Sequence, residues 1–495
     1  MEAMNTRRDP AALAAAGARV LSMWHGASLD VLPEADLERV HEAALRVLED
    51  AGVAVPGALA QRLGAAGARV DERVHLPTAL VGQALGLAPR EPLLAARDPA
   101  CDLRVDGREG WLAAGGRADR VVDLRTDERR PSTLEDARTF ARLADAQTQV
   151  GIVGPPMPAT DAPVGTRSLL ELHALLAGTS KHVHVEIPPD TASARALLAI
   201  VAAVAGDDAT LRERPIVSAV VPVRSPLALD EGALEAAVTL AGAGIPCGFV
   251  VSPVAGSSVP ATLAGALVAA AASALAGVVA LQLLAPGAPT FLGTAALTVA
   301  GGAAPRPGGP QGPLFQMAWA QLARRLGLPS RVDAVATGSK SSDWQAGMEG
   351  GLSGVASWMS APDLLSGAGL RDGGRVFSPV AMLLDAELFD LVRRIPLGFA
   401  VDEDALALEV IEKVGPGEHF LGEPHTLRHM REAWTARFMD TTTWEGWEEA
   451  GRPQPPERAH ARALELLKAH EPAPLEPAAE DRIREVIAEH ERDHA

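Results

Sequence analysis

The 495-residue sequence predicts an α/β protein built on a (β/α)8 TIM barrel, with a helical extension before the barrel and a helical tail after it. Three observations carry that prediction. Short β-branched runs alternate with Ala/Leu-rich helical stretches from about residue 132 onward, the pattern of parallel strands joined by crossover helices. Seven such units are legible and an eighth is expected near Leu397, more than an open sheet usually holds. Finally, residues 236–305 contain no Asp, Glu, Lys or Arg, so this stretch is either deeply buried or in a membrane.

The elements follow in order. Residues 1–131 form the extension. Within 29–51, Leu37, Val40, Ala44, Leu45, Val47 and Leu48 recur at helical spacing with acids early, and Gly52 supplies a stop. Further helices are predicted over 58–67 and 76–89, and the short alternating runs of 93–130 read as a small β-rich appendage. Residues 132–401 form the barrel. Its strands are expected at 151–154, 182–187, 215–223, 247–252, 290–294, 332–337 and 363–367, and its helices at 166–176, 191–205, 229–241, 261–284, 314–326 and 344–360. Residues 402–495 return to charged helices, with GPGEHF as a turn and RAHARALELLKAH as an amphipathic segment, and are expected to wrap the barrel.

Composition narrows the function. A net charge of −18 with acids spread along the chain gives no basic surface for phosphates, so nucleic acid is not expected as a partner. Cys101 and Cys247 are the only cysteines, too few for a disulfide framework, and read as buried reduced thiols of a cytoplasmic protein. Arg19 interrupts the apolar run near the N-terminus, so no signal peptide is read there. Residues 261–284 are long enough to span a bilayer, but Ala, Gly and Ser dominate, Gln282 is polar, and Pro260 and Pro286 bracket the run. A buried barrel helix is the better reading, and no membrane partner is expected. With 9 Phe, 8 Trp and no Tyr, any aromatic-lined site must be built from few residues.

Active sites of such barrels sit where strands end and loops begin. That rule selects Asp161, the KHVHVEI segment, Arg224 and Ser225, Ser252, Thr294 and residues 338–345. His182, His184 and Glu186 alternate along one strand and share a face. Such a pair of histidines holds zinc in some hydrolases, but no clear set of further ligands follows, and a substrate role or satisfied structural histidines fit as well. His425 and His429 share a helix face after His419; without an H-E-x-x-H pattern, capping and surface hydrogen bonding explain them more simply than zinc. The Gly-rich stretch 301–312 lacks the Gly-Lys-Ser/Thr ending of a phosphate loop and reads as a mobile barrel loop. Residues 337–350, TGSKSSDWQAGMEG, gather Lys340, Asp343, Trp344 and Gln345 at a strand-to-helix junction. An indole face beside carboxylates and amides suits a methylated ammonium group, which has no N–H to donate, although Trp344 reads equally as core.

These motifs resemble the trimethylamine methyltransferase family, in particular its members without pyrrolysine. The likeness spans about residues 28 to 485 and rests on LERVHEAALRVLEDAGVAV, RRPSTLEDARTFARLADA, TSKH (179–182), SPL (225–227), TLAGALVAAAASALAG with LQLLAPGAP, SKSSDWQAGMEG and GPGEHFLGEPHTLRHMREAW. The resemblance implies a (β/α)8 barrel of methylamine metabolism that moves a methyl group from a methylated amine or betaine-like donor to the cobalt of a separate corrinoid protein. It implies no cofactor held tightly by this chain. Lys340, Asp343 and Gln345 are then expected to be catalytic, and Trp344, His182, His184, Glu186, Asp161, Gln311 and Trp358 to bind the donor, with no metal assigned. Four positions depart from the family pattern: Ser273, Gln311 and Val380 stand where Glu is common, and Gly338 where Asp is common. If those acids lined the pocket, their loss would disfavour a bare cation and favour a zwitterion. A homo-oligomer is expected. The rival readings are a metal-dependent TIM-barrel hydrolase and a catalytically inactive family member acting as a small-molecule binding protein.

Overall fold

A computed structural model of the chain describes residues 19–24, 28–154, 157–300 and 309–494. The N-terminal run before Arg19 and most of the Gly-rich stretch 301–312 lie outside the described residues. Eight parallel strands close into a barrel: β1 (Glu109–Ala114), β2 (Val150–Val153), β3 (His182–Glu186), β4 (Val217–Val223), β5 (Cys247–Val251), β6 (Thr290–Thr294), β7 (Ser330–Asp333) and β8 (Leu364–Ala368). Closure is direct, because β1 pairs with β8 through Leu364 and Trp111 and with β2 through Leu112 and Val150.

The closing strand differs from the expected one. Residues near Leu397 form a turn, and EGWLAA of β1, read from sequence as part of a β appendage, takes the eighth place. It is buried on both faces, so its small residues show no alternation to read. The barrel therefore begins upstream of residue 132. A hairpin, Arg120–Val122 with Arg129–Arg130, separates β1 from its helix and joins Val376–Phe377 and Leu370–Arg371 in a four-stranded sheet.

The helices are α1 (Leu134–Asp145), α2 (Arg167–Gly178), α3 (Thr191–Ala205), α4 (Glu231–Gly242), α5 (Leu263–Leu284), α6 (Gln311–Leu326), α7 (Trp344–Met359) and α8 (Pro379–Val392). Local chemistry sets their starts: Thr133 and Asp136 form a capping box on α1, and Asp190, Asp230, Thr262, Asp343 and Ser378 each accept a backbone N–H at their own helix. Among the described residues α5 is the one helix long and apolar enough to cross a membrane, and 78% of its most apolar window is buried inside the fold. It lies between β5 and β6 on one side and helices Glu34–Arg46 and Thr78–Leu87 on the other, so it has no solvent face on which to carry charge. Gly277 makes that packing close, since a Cβ there would lie 2.2 Å from the Phe249 ring.

Inside the barrel, Trp111, Ile152, Val220, Val250, Phe291 and Leu364 form one apolar cluster with Leu94, Leu103 and Val105 of the extension. The extension plugs the lower end: Ala95 donates its N–H to Pro215 and accepts from His182 at the start of β3. The tail helices α9 (Pro455–Ala469) and α10 (Pro477–His494) pack on the barrel, α9 against α8 and α1, α10 against α3 and α2. Buried Asp145 fixes this junction, accepting from the Ser180 N–H and hydroxyl, the Thr179 hydroxyl and Nε2 of His470, 2.7 Å away.

Candidate active site at the barrel mouth

Side chains pointing inward from the strands build the interior in layers. On β3, His182 and His184 are fully buried and share the hydroxyl of Ser218 on β4, at 2.7 and 2.6 Å. The His184 ring stacks on Phe291 of β6, 5.8 Å between centroids. Burial holds both imidazoles neutral: His182 is lowered to about 4, and His184 is lowered well below the usual value by burial first and also by the nearby Arg331 charge. With three of their four ring nitrogens engaged by Ala95 and Ser218, the two histidines serve as interior scaffold and do not converge on a metal position.

Arg331 and Asp333 alternate on β7 and both face inward. The Arg331 guanidinium is almost entirely buried, and its Nε and Nη1 have no hydrogen-bond partner among the described residues. Its Nη2 lies 3.7 Å from the carboxylate of Asp333, which accepts from the Ser366 hydroxyl and from the backbone N–H of Ala296. Burial pulls the Arg331 guanidinium below its ordinary value while Asp333 pulls the other way. One layer higher, Arg117 after β1 pairs with Glu186 at the end of β3.

Among the described residues, these four groups are the charged ones on the wall of a cavity of about 480 Å³ at the C-terminal ends of the strands. The rest of the wall is small or aliphatic, including Val220, Pro222, Val250, Ser252, Thr298 and Thr337, and no aromatic side chain takes part among the described residues. Gly116, Gly367, Gly373 and Gly374 form part of its rim with positive φ, leaving the mouth open to an approaching partner. Among the described residues two cations and two anions make the cavity wall balanced in charge.

Of the residues predicted from sequence, Glu186 lines this cavity and the two histidines lie beneath it. Asp161 sits in an exposed loop and accepts from the Leu134 N–H. Asp343 is the N-cap of α7, Gln345 donates to Glu349, and Lys340 is largely exposed beside Asp372. Trp344 is 78% exposed at the start of α7, which rules out the core reading for it; Trp358 is buried against Phe389. Gln311 is an exposed first-turn residue of α6.

The four departures also lie off the cavity wall. Ser273 is buried in α5, donating to Ala269 and accepting from Leu227; Gly338 donates its N–H to Glu349; Val380 stands in the first turn of α8. Among the described residues, the charges on the wall are those of Arg117, Glu186, Arg331 and Asp333. Arg331 escaped sequence reading because the expected strand, 332–337, began two residues late, and Asp333 because it was read as the second residue of that strand; the alternating charges of Ser330–Asp333 were the available signal.

The sequence model described as trimethylamine methyltransferase (MTTB) matches residues 3–495. A trimethylamine methyltransferase MttB of Desulfitobacterium hafniense is 30% identical over 475 residues, 95% of each chain. A glycine betaine methyltransferase from another strain of that species is 31% identical, covering 93% of this chain and 97% of its own. The crystal structure of Methanosarcina barkeri monomethylamine methyltransferase (MtmB) shares the fold, with a TM-score of 0.51, 11% identity and coverage of 89% of this chain and 88% of that one.

Proposed function

The chain belongs to the trimethylamine methyltransferase family, and from that premise we propose that this methyltransferase moves a methyl group from a zwitterionic, betaine-like amine to the cobalt of a separate corrinoid protein. The observation that supports the donor class is the charge-balanced cavity, with Arg331 on its wall beside Asp333. A guanidinium matches a carboxylate in charge and hydrogen-bonding geometry. Asp333 and Glu186 then face the ammonium end. The nitrogen loses its positive charge as the methyl leaves, so a strongly negative cavity would stabilise the starting cation more than the transition state. A balanced one avoids that penalty.

The reduced corrinoid supplies the nucleophile that takes the methyl carbon. This chain's part is placement: Arg331 fixes one end of the donor, the apolar walls at Val220, Pro222 and Val250 keep water from its methyl groups, and the glycine rim leaves the outer face accessible. The open mouth fits delivery of the reactive face by another protein. A cytoplasmic homo-oligomer is part of the same reading, supported by Phe399, Leu421, Leu427 and Met430, all large, apolar and more than half exposed.

The test incubates the full chain with a reduced corrinoid protein and a panel of methylated amines, betaines and sulfonium compounds, and follows demethylated product by mass spectrometry. Product from a carboxylate-bearing donor, exceeding that from trimethylamine, is expected. No corrinoid-dependent product across the panel overturns methyl transfer; preference for trimethylamine overturns the donor class alone.

A further inference from the structure

The tail contains a segment that folds without a core of its own. Between residues 401 and 437, all of them described, no side chain is buried, although the segment forms the helices Glu403–Leu406, Leu408–Val414 and Pro424–His429. Polar contacts hold it together, among them Lys413 with Glu423 at 2.8 Å and Arg428 with Asp404 at 2.9 Å. Short elements with so little buried surface ordinarily need a staple.

The staple is visible in the side chains. His425 and His429, one helical turn apart, lie 4.3 Å apart between ring centroids with their planes tilted by 39°, and turn their Nε2 atoms toward Asp404 on the other half of the segment. Nε2 of His429 lies 3.0 Å from the Asp404 carboxylate, and Nε2 of His425 lies 2.9 Å from the Asp404 carbonyl. One ligand atom from each of the three residues falls within 4.8 Å of the other two. His429 turns its second nitrogen, Nδ1, to Glu432 at 2.7 Å, the outer carboxylate that commonly orients and strengthens a metal-bound imidazole. Arg428 occupies Oδ1 of Asp404 and leaves Oδ2 toward the histidines.

We infer that Asp404, His425 and His429 form a binding site for a divalent transition ion of the zinc class, which clips the two halves of the 402–432 segment together. Two imidazoles and one carboxylate are a zinc-type donor set, with a fourth position left for water. The site is separate from the barrel mouth and independent of the proposed donor. Sequence alone paired the histidines but could not supply the third ligand, which lies 21 residues before His425 on another element.

The untagged full chain, stripped with chelator, is titrated with Zn2+ by calorimetry and with Co2+ by visible absorption, which intensifies on tetrahedral binding. About one equivalent is expected, together with metal-dependent protection of residues 402–437 from limited proteolysis. His429→Ala and the near-isosteric Asp404→Asn should abolish uptake, and Glu432→Gln should weaken it about 10- to 100-fold. Circular dichroism checks that the barrel of each variant remains folded. No uptake by the wild-type chain, or equal uptake by His429→Ala and Asp404→Asn, overturns the site.

Discussion

Arg331 concentrates the chemistry of the mouth in one side chain. Its guanidinium is buried beside Asp333, with neither Nε nor Nη1 hydrogen-bonded among the described residues, and such unsatisfied donors are costly. Replacing it tests whether the donor's carboxylate pairs with it. Arg331→Gln removes charge-assisted hydrogen bonds of about 1.5–3 kcal/mol, which corresponds to about a 10- to 100-fold rise in KM for a carboxylate-bearing donor. Trimethylamine, which has no carboxylate, should show little change; equal effects on both donors would assign Arg331 to the scaffold. The buried histidines give a second residue-scale expectation. The unfolded chain protonates His182 near pH 6.5 and the folded chain only near pH 4, so the stability tied to neutral His182 is full above 6.5 and lost as pH falls toward 4. Glu171 works the other way, since burial raises its carboxyl from 4.5 to about 7 and its contribution is lost as pH rises through that range. Urea midpoints measured from pH 6.5 down to pH 4 should therefore fall more steeply in Glu171→Gln than in the wild type. An unchanged slope would contradict the opposing role given to Glu171.

At the scale of elements, the junction of β7 and α7 separates local from tertiary roles. Residues 337–350 gather polar groups as expected, but they are spent on building the turn: Asp343 accepts from the Ala346 N–H and from the hydroxyls of Ser339 and Ser341. Asp343→Ala should cost about 1 kcal/mol of stability as a lost N-cap, measured by urea unfolding, while donor KM stays near that of the wild type. A large change in KM without loss of stability would return Asp343 to the site. Six of the eight barrel helices were legible because capping residues and apolar periodicity are local signals; α3, for instance, occupies the predicted 191–205, whereas α1 and α8 were not among the expected helices. The closing strand was not legible. EGWLAA becomes a barrel strand through its neighbours β8 and β2, which lie far along or beyond it in sequence.

Across the whole molecule, one end of the barrel is sealed by the chain itself and the other is left open. The extension fills the lower end with Leu94, Leu103 and Val105, and the mouth keeps a cavity sized for a small molecule. On the outside, Phe399, Leu421, Leu427 and Met430 expose apolar surface that a second copy would cover. Sedimentation should show the wild-type chain as a dimer or larger, and Phe399→Asp combined with Leu421→Asp should shift it toward monomer. A wild-type monomer at micromolar concentration would remove the oligomer from the proposed function.

The sequence by itself determined the barrel, the family and the burial of the charge-free span, because these are written in periodicity, motif order and the absence of charge along α5. Only the tertiary structure decided which charges meet at the mouth. Arg117, Glu186, Arg331 and Asp333 come from three strands or strand ends, and their convergence depends on barrel closure and register. Lys340 and Trp344, close together in sequence, lie exposed at the turn that opens α7: proximity along the chain sets a turn, whereas inward direction is set by the strand face on which a residue falls.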